Sequence, residues 1–222
     1  MSNWVSFWQD LLEQLPLIWQ GLLNTLLLAS TVSVTGFLLG CVVLYWSISR
    51  HVLIRRITKS YISFFIGMPL IVLLFLMYYG APQFGIRLSP FEVAVLGFTL
   101  NVAAYNAAYL TTAYNGLDPN ELEAARAQGF SERQVFRLIT LPQVLRTSIP
   151  ALTNQVISNV KDSSIVFLIQ YTDFFARVQE LASTNFQFFK AYLFAAVVYL
   201  ALVSVVVLVS RRIQRRIGLS LG

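Results

Sequence analysis

A polar stretch interrupts an otherwise apolar chain and reads NGLDPNELEAARAQGFS from Asn115 to Ser131. The polar character continues to about Arg146, and apolar runs long enough to cross a bilayer lie on both sides of it. A capped, charged helical insert of this length, over about residues 115–146, is more than a connection between spans. It indicates a surface that is offered to a soluble partner.

The composition around this insert is that of a membrane protein. Hydrophobic residues make up 57% of the 222 residues, charged residues only 12%, and the mean hydropathy is +0.67. About a quarter of the residues in a soluble domain are charged. We therefore predict an all-α integral membrane protein with a single transmembrane domain over residues 1–222, whose surroundings are a lipid bilayer.

The basic residues are clustered, although the net charge is only +6. The clusters are Arg50, Arg55, Arg56 and Lys59; Arg126, Arg133, Arg137 and Arg146; and Arg211, Arg212, Arg215 and Arg216. Each cluster lies between or after apolar runs, which is the pattern of cytoplasmic loops. Because aromatic and basic residues do not alternate as they do in nucleic-acid platforms, no nucleic-acid partner is expected.

The apolar runs predict five transmembrane helices. They cover Gln14 to Ser49, Tyr61 to Gly80, Phe91 to Tyr114, Thr147 to about Ile169, and Ala191 to Ser210. An odd number of spans places the termini on opposite sides of the membrane. The N-terminus lacks Lys and Arg and is predicted outside, and the Arg-rich C-terminus is predicted inside, in agreement with all three clusters.

Glycines mark two of these spans. Gly36 and Gly40 have the small-xxx-small spacing that lets helix backbones approach closely. Gly67 and Pro69 break the second span, and the backbone groups freed at such a break must line a cavity or be covered by protein.

The chain contains few side chains that could perform catalysis or bind a metal. Cys41, the only cysteine, falls in an apolar run, and His51, the only histidine, falls in a basic loop. We therefore expect no catalytic residues, no metal site and no cofactor in this chain, and we predict that it is not an enzyme.

The polar insert contains two sequence signals for the start of a helix. Asp118 is an N-cap acceptor, a proline follows at the first helical position, and Glu121 stands at the third, which predicts a capping box. Gly129 is placed to end this helix in a left-handed conformation. Ser131 and Gln134 repeat the box and predict a second short helix. We call residues 118–134 the elbow.

The elbow is predicted to have two faces. Leu122, Ala125 and Phe130 are expected to pack toward the membrane, and Arg126, Glu132 and Arg133 to face a partner. The alternative is that these are merely helices lying in the membrane interface.

The same residues carry a resemblance to a known family. Glu123-Ala124-Ala125, Gly129, Ile139 and Leu141-Pro142 resemble the EAA loop of permease subunits of bacterial ABC importers, with every spacing kept. Further matches resemble the polar amino-acid permeases, nearest to the cystine-type branch. They are Tyr61-Ile62-Ser63, Gly67-x-Pro69-Leu70, Tyr78-Tyr79-Gly80, Leu141-Pro142-Gln143, Ile149-Pro150 and Lys161-Asp162-Ser163-Ser164. The resemblance covers roughly residues 15 to 215.

This resemblance implies a type I ABC importer permease with five transmembrane helices in the bacterial inner membrane. The implied partners are a second permease subunit, a dimer of cytoplasmic ABC ATPases that bind ATP and Mg, and a solute-binding protein. The implied cargo is a polar amino acid, or a cystine-like or related small solute. The residues implied to dock on the ATPase are Glu123, Ala124, Ala125, Arg126, Gly129, Phe130 and Ser131.

The predicted substrate path joins the broken second span to polar positions of the third and fourth. Its candidate residues are Gly67, Pro69, Asn101, Tyr105, Asn154, Ser158, Lys161 and Asp162. Asn154, Ser158 and Asp162 follow one another at intervals of four and share a helix face. Ionisable residues at membrane depth usually face a bundle interior or a water-filled path. Alternatively, Lys161 and Asp162 stabilise an interface between permeases.

Three positions depart from the family pattern. Ile66, Ala108 and Thr111 stand where relatives commonly have arginine, glutamate and arginine. Either a non-identical partner permease supplies the missing charges, or the substrate is less charged than usual. We favour the heterodimer.

A secondary transporter or channel without an ATPase is the alternative function. Inverted repeats and broken half-helices would support it. The sequence shows no internal repeat, and the elbow would have no role in such a protein.

Overall fold

The protein folds as a bundle of helices around one long N-terminal helix. The structure is a computed structural model that describes residues 4–216, apart from the side chains of residues 185 and 216. Its helices are α1 (Trp4–Ser47), α2 (Val52–Gly67), α3 (Leu70–Phe75), α4 (Pro90–Asn115), α5 (Pro119–Ala127), α6 (Glu132–Gln134), α7 (Leu141–Asp162), α8 (Phe174–Asn185) and α9 (Phe188–Arg216). No strand occurs in that range, so the predicted all-α fold is confirmed.

Short irregular turns extend several of these helices. π-Helical turns occupy Leu76–Gly80 and Val135–Thr140, and 3-10 turns occupy Ala81–Phe84 and Ser163–Ile169. Both π turns continue directly from or into an α-helix, so α3 and α7 belong to longer helical segments than their own bounds suggest.

Three described helices are long and apolar enough to cross a membrane: α1, α4 and α9. The segments on either side of Pro69 together make a fourth candidate, but they meet at an angle of 99°. The second predicted span is therefore not one straight helix. The predicted break at Gly67 and Pro69 is confirmed, because α2 ends at Gly67 and α3 begins directly after Pro69.

The packing of α1 against α4 depends on two glycines. A Cβ atom at Gly36 would lie 2.5 Å from Val102 Cγ1, and one at Gly40 would lie 2.8 Å from Asn106 Cβ. Real Cβ atoms essentially never come that close to another heavy atom. The close approach predicted from the small-xxx-small spacing is therefore confirmed, and the partner helix is α4.

A buried carboxylate attaches α8 to α1. Asp173 is the N-cap of α8, and its Oδ1 accepts a hydrogen bond from the Ala176 backbone N–H at 2.8 Å. Thr25 of α1 donates to Asp173 Oδ2 at 3.4 Å and accepts from the Phe174 N–H at 3.0 Å. Burial raises the pKa of Asp173 to about 6.

This raised pKa predicts a pH-dependent stability. The folded protein holds the Asp173 proton more tightly than the unfolded chain does, so the free energy of unfolding falls as the pH rises from about 4 to about 6. We expect Asp173→Asn to keep the cap and the approximate shape, and to raise the stability at pH 7 by about 1–3 kcal/mol. Thermal unfolding of the purified protein from pH 4 to about pH 8 measures both effects.

The control is Asp173→Ala, which removes the charge and the cap together. Losing the cap costs about 1 kcal/mol, so this variant should gain less than Asp173→Asn. A wild-type stability that does not change between pH 4 and about pH 6 would contradict the assignment of the raised pKa to Asp173.

Candidate transport path and docking elbow

The first helix of the elbow begins where the sequence predicts, but its capping box is incomplete. α5 starts at Pro119, and Asp118 Oδ1 accepts from the Asn120 N–H at 2.9 Å. Glu121 was expected to bond back to the N-cap. Its carboxylate instead accepts a hydrogen bond from Gln143 Nε2 of α7 at 2.9 Å. The prediction of a complete box is wrong because α7 packs beside α5 and offers Glu121 a tertiary donor.

Gly129 ends α5 as predicted. Its φ is +87°, in the left-handed region, and its N–H donates to the Arg126 carbonyl at 3.0 Å. The Phe130 N–H reaches back to the Ala125 carbonyl at 3.2 Å. These two bonds form a Schellman cap, which satisfies the last carbonyls of the helix. A Cβ at Gly129 would have no neighbour within 4 Å, so the position requires glycine for its conformation and not for space.

The second helix start is also formed, but the helix that it starts is long. Ser131 N–H donates to Gln134 Oε1 at 2.8 Å, and Gln134 N–H donates to Ser131 Oγ at 3.4 Å. From α6 the chain passes through the π turn Val135–Thr140 into α7 without leaving the helix. The prediction of a second short helix is therefore wrong. Pro142 is the second residue after the π turn, and its missing N–H interrupts the regular α-helical bonding.

The charged side chains of the elbow bind each other. Arg126 Nε lies 3.0 Å from Glu132 Oε1, and the Arg50 guanidinium donates to the same oxygen. The hydrogen bond from Arg126 lowers the pKa of Glu132. Arg126 and Glu132 are both exposed, and they are paired with each other and with Arg50 from the α1–α2 connection. That they face a partner stays a prediction. Arg133 is exposed.

The apolar side of the elbow packs inward as predicted. Leu122 and Ala125 are buried together with Val135, and Phe130 packs against them. The remaining residues implied to dock, Glu123, Ala124 and Ser131, are exposed. The elbow is thus an ordered surface with a small apolar core of its own.

A cavity of about 570 Å³ lies at the break between α2 and α3. Asn101 of α4 donates its Nδ2 to the Phe65 carbonyl at 2.8 Å, so a carbonyl freed near the break is covered by a side chain. The residues that line the cavity come from α2, α3, α4, α7, the α2–α3 connection and the 3-10 turn after α7. They are Ile66, Gly67, Met68, Pro69, Leu70, Ile71, Asn101, Tyr105, Tyr109, Gln155, Ser158, Asp162 and Ile165.

Six of the eight predicted path residues meet at this cavity. Those six are Gly67, Pro69, Asn101, Tyr105, Ser158 and Asp162. Asn154 shares their helix face, but it is exposed one turn nearer the elbow and does not line the cavity. Lys161 is also exposed and does not line it, which agrees with side chains of adjacent helical residues pointing about 100° apart.

Two polar residues that line the cavity, Tyr109 and Gln155, are not among the predicted path residues. Tyr109 follows Tyr105 by four residues, so the helical repeat alone could have placed it on the same face. Gln155 is buried and donates to Asn159 Oδ1 at 3.0 Å, and Asn159 donates to Ser33 of α1 at 2.9 Å. No sequence signal predicts this chain of bonds, because it depends on how α1 packs against α7.

The three positions that depart from the family pattern are not equivalent. Ile66 lines the cavity, whereas Ala108 and Thr111 do not. Thr111 lies within hydrogen-bonding distance of Ser47, at 3.2 Å between the hydroxyl oxygens. Asp162 is the one charged side chain among the described residues that line the cavity.

The structure has a polar cavity among helices long enough to cross a membrane, and a continuous helix joins this cavity to an ordered polar elbow. These features are typical of a membrane transport component. The sequence agrees with this class: residues 33–219 match the family described as "Binding-protein-dependent transport system inner membrane component". The chain belongs to this family, whose members are inner-membrane transport subunits.

Individual relatives are similar along most of the chain. The probable amino-acid ABC transporter permease protein PatM of Vibrio harveyi is 35% identical over 192 residues, which are 85% of this chain and 86% of the relative. The L-cystine transport system permease protein TcyB of Bacillus subtilis is 30% identical over 213 residues, which are 96% and 88% of the two chains. A crystal structure of an amino acid ABC transporter with histidines superimposes with a TM-score of 0.86 at 28% identity, covering 97% of this chain and 99% of that one.

Proposed function

We propose that this chain is the permease subunit of an ATP-driven importer for a polar amino acid, or for a cystine-like or related small solute. The observation that carries the proposal is the cavity at the broken second span, which six of the predicted path residues line. The names of the relatives, which include amino-acid and cystine permeases, support the substrate class.

The proposed topology has five transmembrane helices, with the N-terminus outside and the elbow and C-terminus in the cytoplasm. The remaining span, which is the fourth along the chain, is α7, and its 22 residues are enough to cross a bilayer. Its polarity is explained if it lines the path inside the bundle and is not exposed to lipid. The bent pair of α2 and α3 then counts as the second span.

The proposed coupling follows from the continuous helix between the elbow and the cavity. ATP and Mg bind to a separate pair of cytoplasmic ATPases, and ATP binding closes this pair and moves the elbow docked on it. Because α6 continues through the π turn into α7, a displacement of Ser131 is carried toward Ser158 and Asp162 in the cavity wall. This movement opens the path toward a solute-binding protein.

The proposed partner permease is a non-identical subunit. A zwitterionic amino acid presents an ammonium and a carboxylate. The cavity offers Asp162 to the ammonium, but the described residues that line it include no arginine, lysine or histidine for the carboxylate. A second permease with a basic residue at the position of Ile66 would complete the site. Co-purification of tagged and untagged copies of this chain tests this: capture of its own untagged copy would favour a homodimer.

The function is tested by assembling the transporter from this permease, its ATPase and its partner permease in vesicles. We expect the ATPase activity to rise several-fold with a loaded solute-binding protein and one of a panel of amino acids that includes cystine, glutamine, arginine and histidine. If no amino acid stimulates the ATPase, the substrate class is wrong. If no stable ATPase complex survives a detergent pull-down, the alternative of a transporter or channel driven without ATP is favoured.

A further inference from the structure

Most residues of helix α2 are left exposed by the described part of the chain. Among its 16 residues only Thr58 is buried. Leu53 and Ile57 are 71% and 61% exposed, and Phe64, two turns further on, is 54% exposed. At 100° per residue these three apolar side chains fall within about 40° of one another and form one stripe along the helix.

A basic stripe lies on the opposite side of α2. Arg55, Arg56 and Lys59 are exposed, and none of the three forms an ion pair with the described residues. Measured around the helix from the centre of the apolar stripe, Arg55 and Lys59 point about 180° and 220° away, and Arg56 about 280° away, at the flank of the stripe. No acidic residue occurs in the sequence between Gln14 and Phe91, so the surrounding segment offers the cations no internal partner.

Contacts with the rest of the protein show where each end of α2 lies along the helix bundle. Its first residue follows closely on Arg50, which pairs with Glu132 of the elbow. Near its other end, the Tyr61 hydroxyl donates to the Leu100 carbonyl at 2.7 Å, and the Phe65 carbonyl accepts from Asn101, both near the middle of α4. The helix therefore runs obliquely from the elbow end of the bundle to half its depth. With the elbow in the cytoplasm, as proposed above, its first turns lie at the membrane surface.

We propose that the first turns of α2 bind the headgroups of anionic phospholipids in the inner leaflet. Arg55, Arg56 and Lys59 would pair with the lipid phosphates, while Leu53 and Ile57 insert among the acyl chains. A helix with basic and apolar faces on opposite sides is the form that lies in a membrane interface. A soluble protein docked on the basic face would leave the apolar stripe uncovered, whereas a bilayer contacts both faces. The assignment to the inner leaflet rests on the orientation proposed above.

The lipid contact would reach the substrate path through the same helix. Ile66 and Gly67, at the end of α2, line the cavity, and Met68 follows them in its wall. Lipid bound at the first turns thus holds the start of a helix whose end forms the break. Transport should depend on anionic lipid for this reason, apart from any effect of lipid on the ATPase.

Lipid binding is measured directly on the purified complex in detergent, without any need for transport. The complex is mixed with pyrene-labelled phosphatidylglycerol or phosphatidylcholine, and energy transfer from tryptophan reports binding; Trp46 lies just before α2 and is half exposed. Each cation contributes roughly fivefold near an anionic surface. The triple variant Arg55→Gln, Arg56→Gln, Lys59→Gln is expected to lose at least about tenfold in phosphatidylglycerol affinity. Its phosphatidylcholine binding should not change.

Two matched variants separate charge from structure and location. Arg55→Lys, Arg56→Lys, Lys59→Arg keeps the charge and should keep phosphatidylglycerol binding. Arg211→Gln, Arg212→Gln, Arg215→Gln removes the same charge from α9, which contributes no residue to the cavity. In vesicles, phosphatidylglycerol should still stimulate the ATPase activity of the complex that carries the α9 variant. The complex with the α2 triple variant should lose this stimulation.

Three outcomes would overturn the proposal. Unchanged phosphatidylglycerol affinity in the α2 triple variant would remove its basis. An equal loss of affinity and stimulation in the α9 variant would indicate general surface charge. Loss of the ATPase subunit from the α2 triple variant in detergent, with lipid binding retained, would show that the basic stripe docks on the ATPase.

Discussion

Gly129→Asp is expected to abolish transport while the permease still inserts in the membrane. The backbone at Gly129 has a φ of +87°, where a residue with a side chain costs about 1–2 kcal/mol. Relief of that strain would rotate α5 relative to α6 and displace the docking surface. The aspartate also adds a negative charge at the apex of the elbow. We expect uptake of the amino acid that stimulates the ATPase to fall to the background level, a loss of at least about tenfold.

The structure offers a matched control for this prediction at the opposite end of the bundle. Gly85 has a φ of +78°, and a Cβ there would also have no neighbour within 4 Å. Gly85→Asp therefore imposes the same local strain and the same charge far from the elbow, and uptake should stay near the wild-type rate. Gly129→Asn, whose side chain tolerates the left-handed region, should be milder than Gly129→Asp.

The readouts distinguish docking from folding. Surface expression and gel filtration should show an inserted, folded permease for both aspartate variants. A pull-down of the ATPase should be weakened only by the change at Gly129. Uptake at the wild-type rate with Gly129→Asp would contradict the assignment of the elbow as the docking surface. Equal losses of uptake in both aspartate variants would indicate a general effect of backbone strain.

Features governed by the chemistry of one or two residues could be predicted from the sequence. The left-handed cap at Gly129 and the box between Ser131 and Gln134 depend on contacts within a few residues, and both are present in the structure. The break at Gly67 and Pro69 is of the same kind. Local backbone preferences decide such features, and tertiary packing needs only to tolerate them.

Features that join distant segments could not be predicted in this way. Glu121 bonds to Gln143, and Glu132 to Arg50, because α7 and the α1–α2 connection pack beside the elbow. The angle of 99° between the two halves of the second span has the same origin. A proline indicates where a helix breaks, but its neighbours set the direction in which the chain continues.

Part of the candidate path could be predicted from the sequence. A polar residue in an apolar span is costly unless it faces the interior, so Asn101, Tyr105 and Ser158 could be assigned to the bundle interior from type and position. Asn154 has the same polarity and shares a face with Ser158, but it lies beyond the end of the cavity. Polarity and helical repeat thus give the direction of a side chain, whereas the extent of a cavity along the helix depends on the packed bundle.

Gly36→Leu is expected to prevent the protein from folding into a stable bundle. A Cβ at this position would already lie 2.5 Å from Val102 Cγ1 and 2.8 Å from Val102 Cβ, before the rest of the leucine is added. α1 and α4 would have to separate along a seam where Val32 and Phe98 are fully buried. Overpacking of a tight core costs about 1–3 kcal/mol, and a leucine at such a contact should reach or exceed the upper end. Yield of monodisperse protein in gel filtration should collapse.

Gly80→Leu is the matched control, because a Cβ at Gly80 would meet nothing within 4 Å. It makes the same chemical change in a helical segment with open space beside it. Its yield and melting temperature should stay close to those of the wild type. A similar collapse in both variants would mean that the added apolar surface, and not the α1–α4 contact, is responsible.

A double-mutant cycle tests the contact itself. In Gly36→Ala the new Cβ clashes only with the Val102 side chain, since its next neighbour, the Ala103 backbone nitrogen, is at an ordinary 3.6 Å. Val102→Gly removes that side chain, at the cost of a small cavity and a more flexible helix. If the helices meet as described, the double variant should be more stable than the sum of the two single effects predicts, by about 1–3 kcal/mol. If the stability effects of the two single variants simply add in the double variant, Gly36 and Val102 are not in contact. The contact between α1 and α4 would then have to involve other residues.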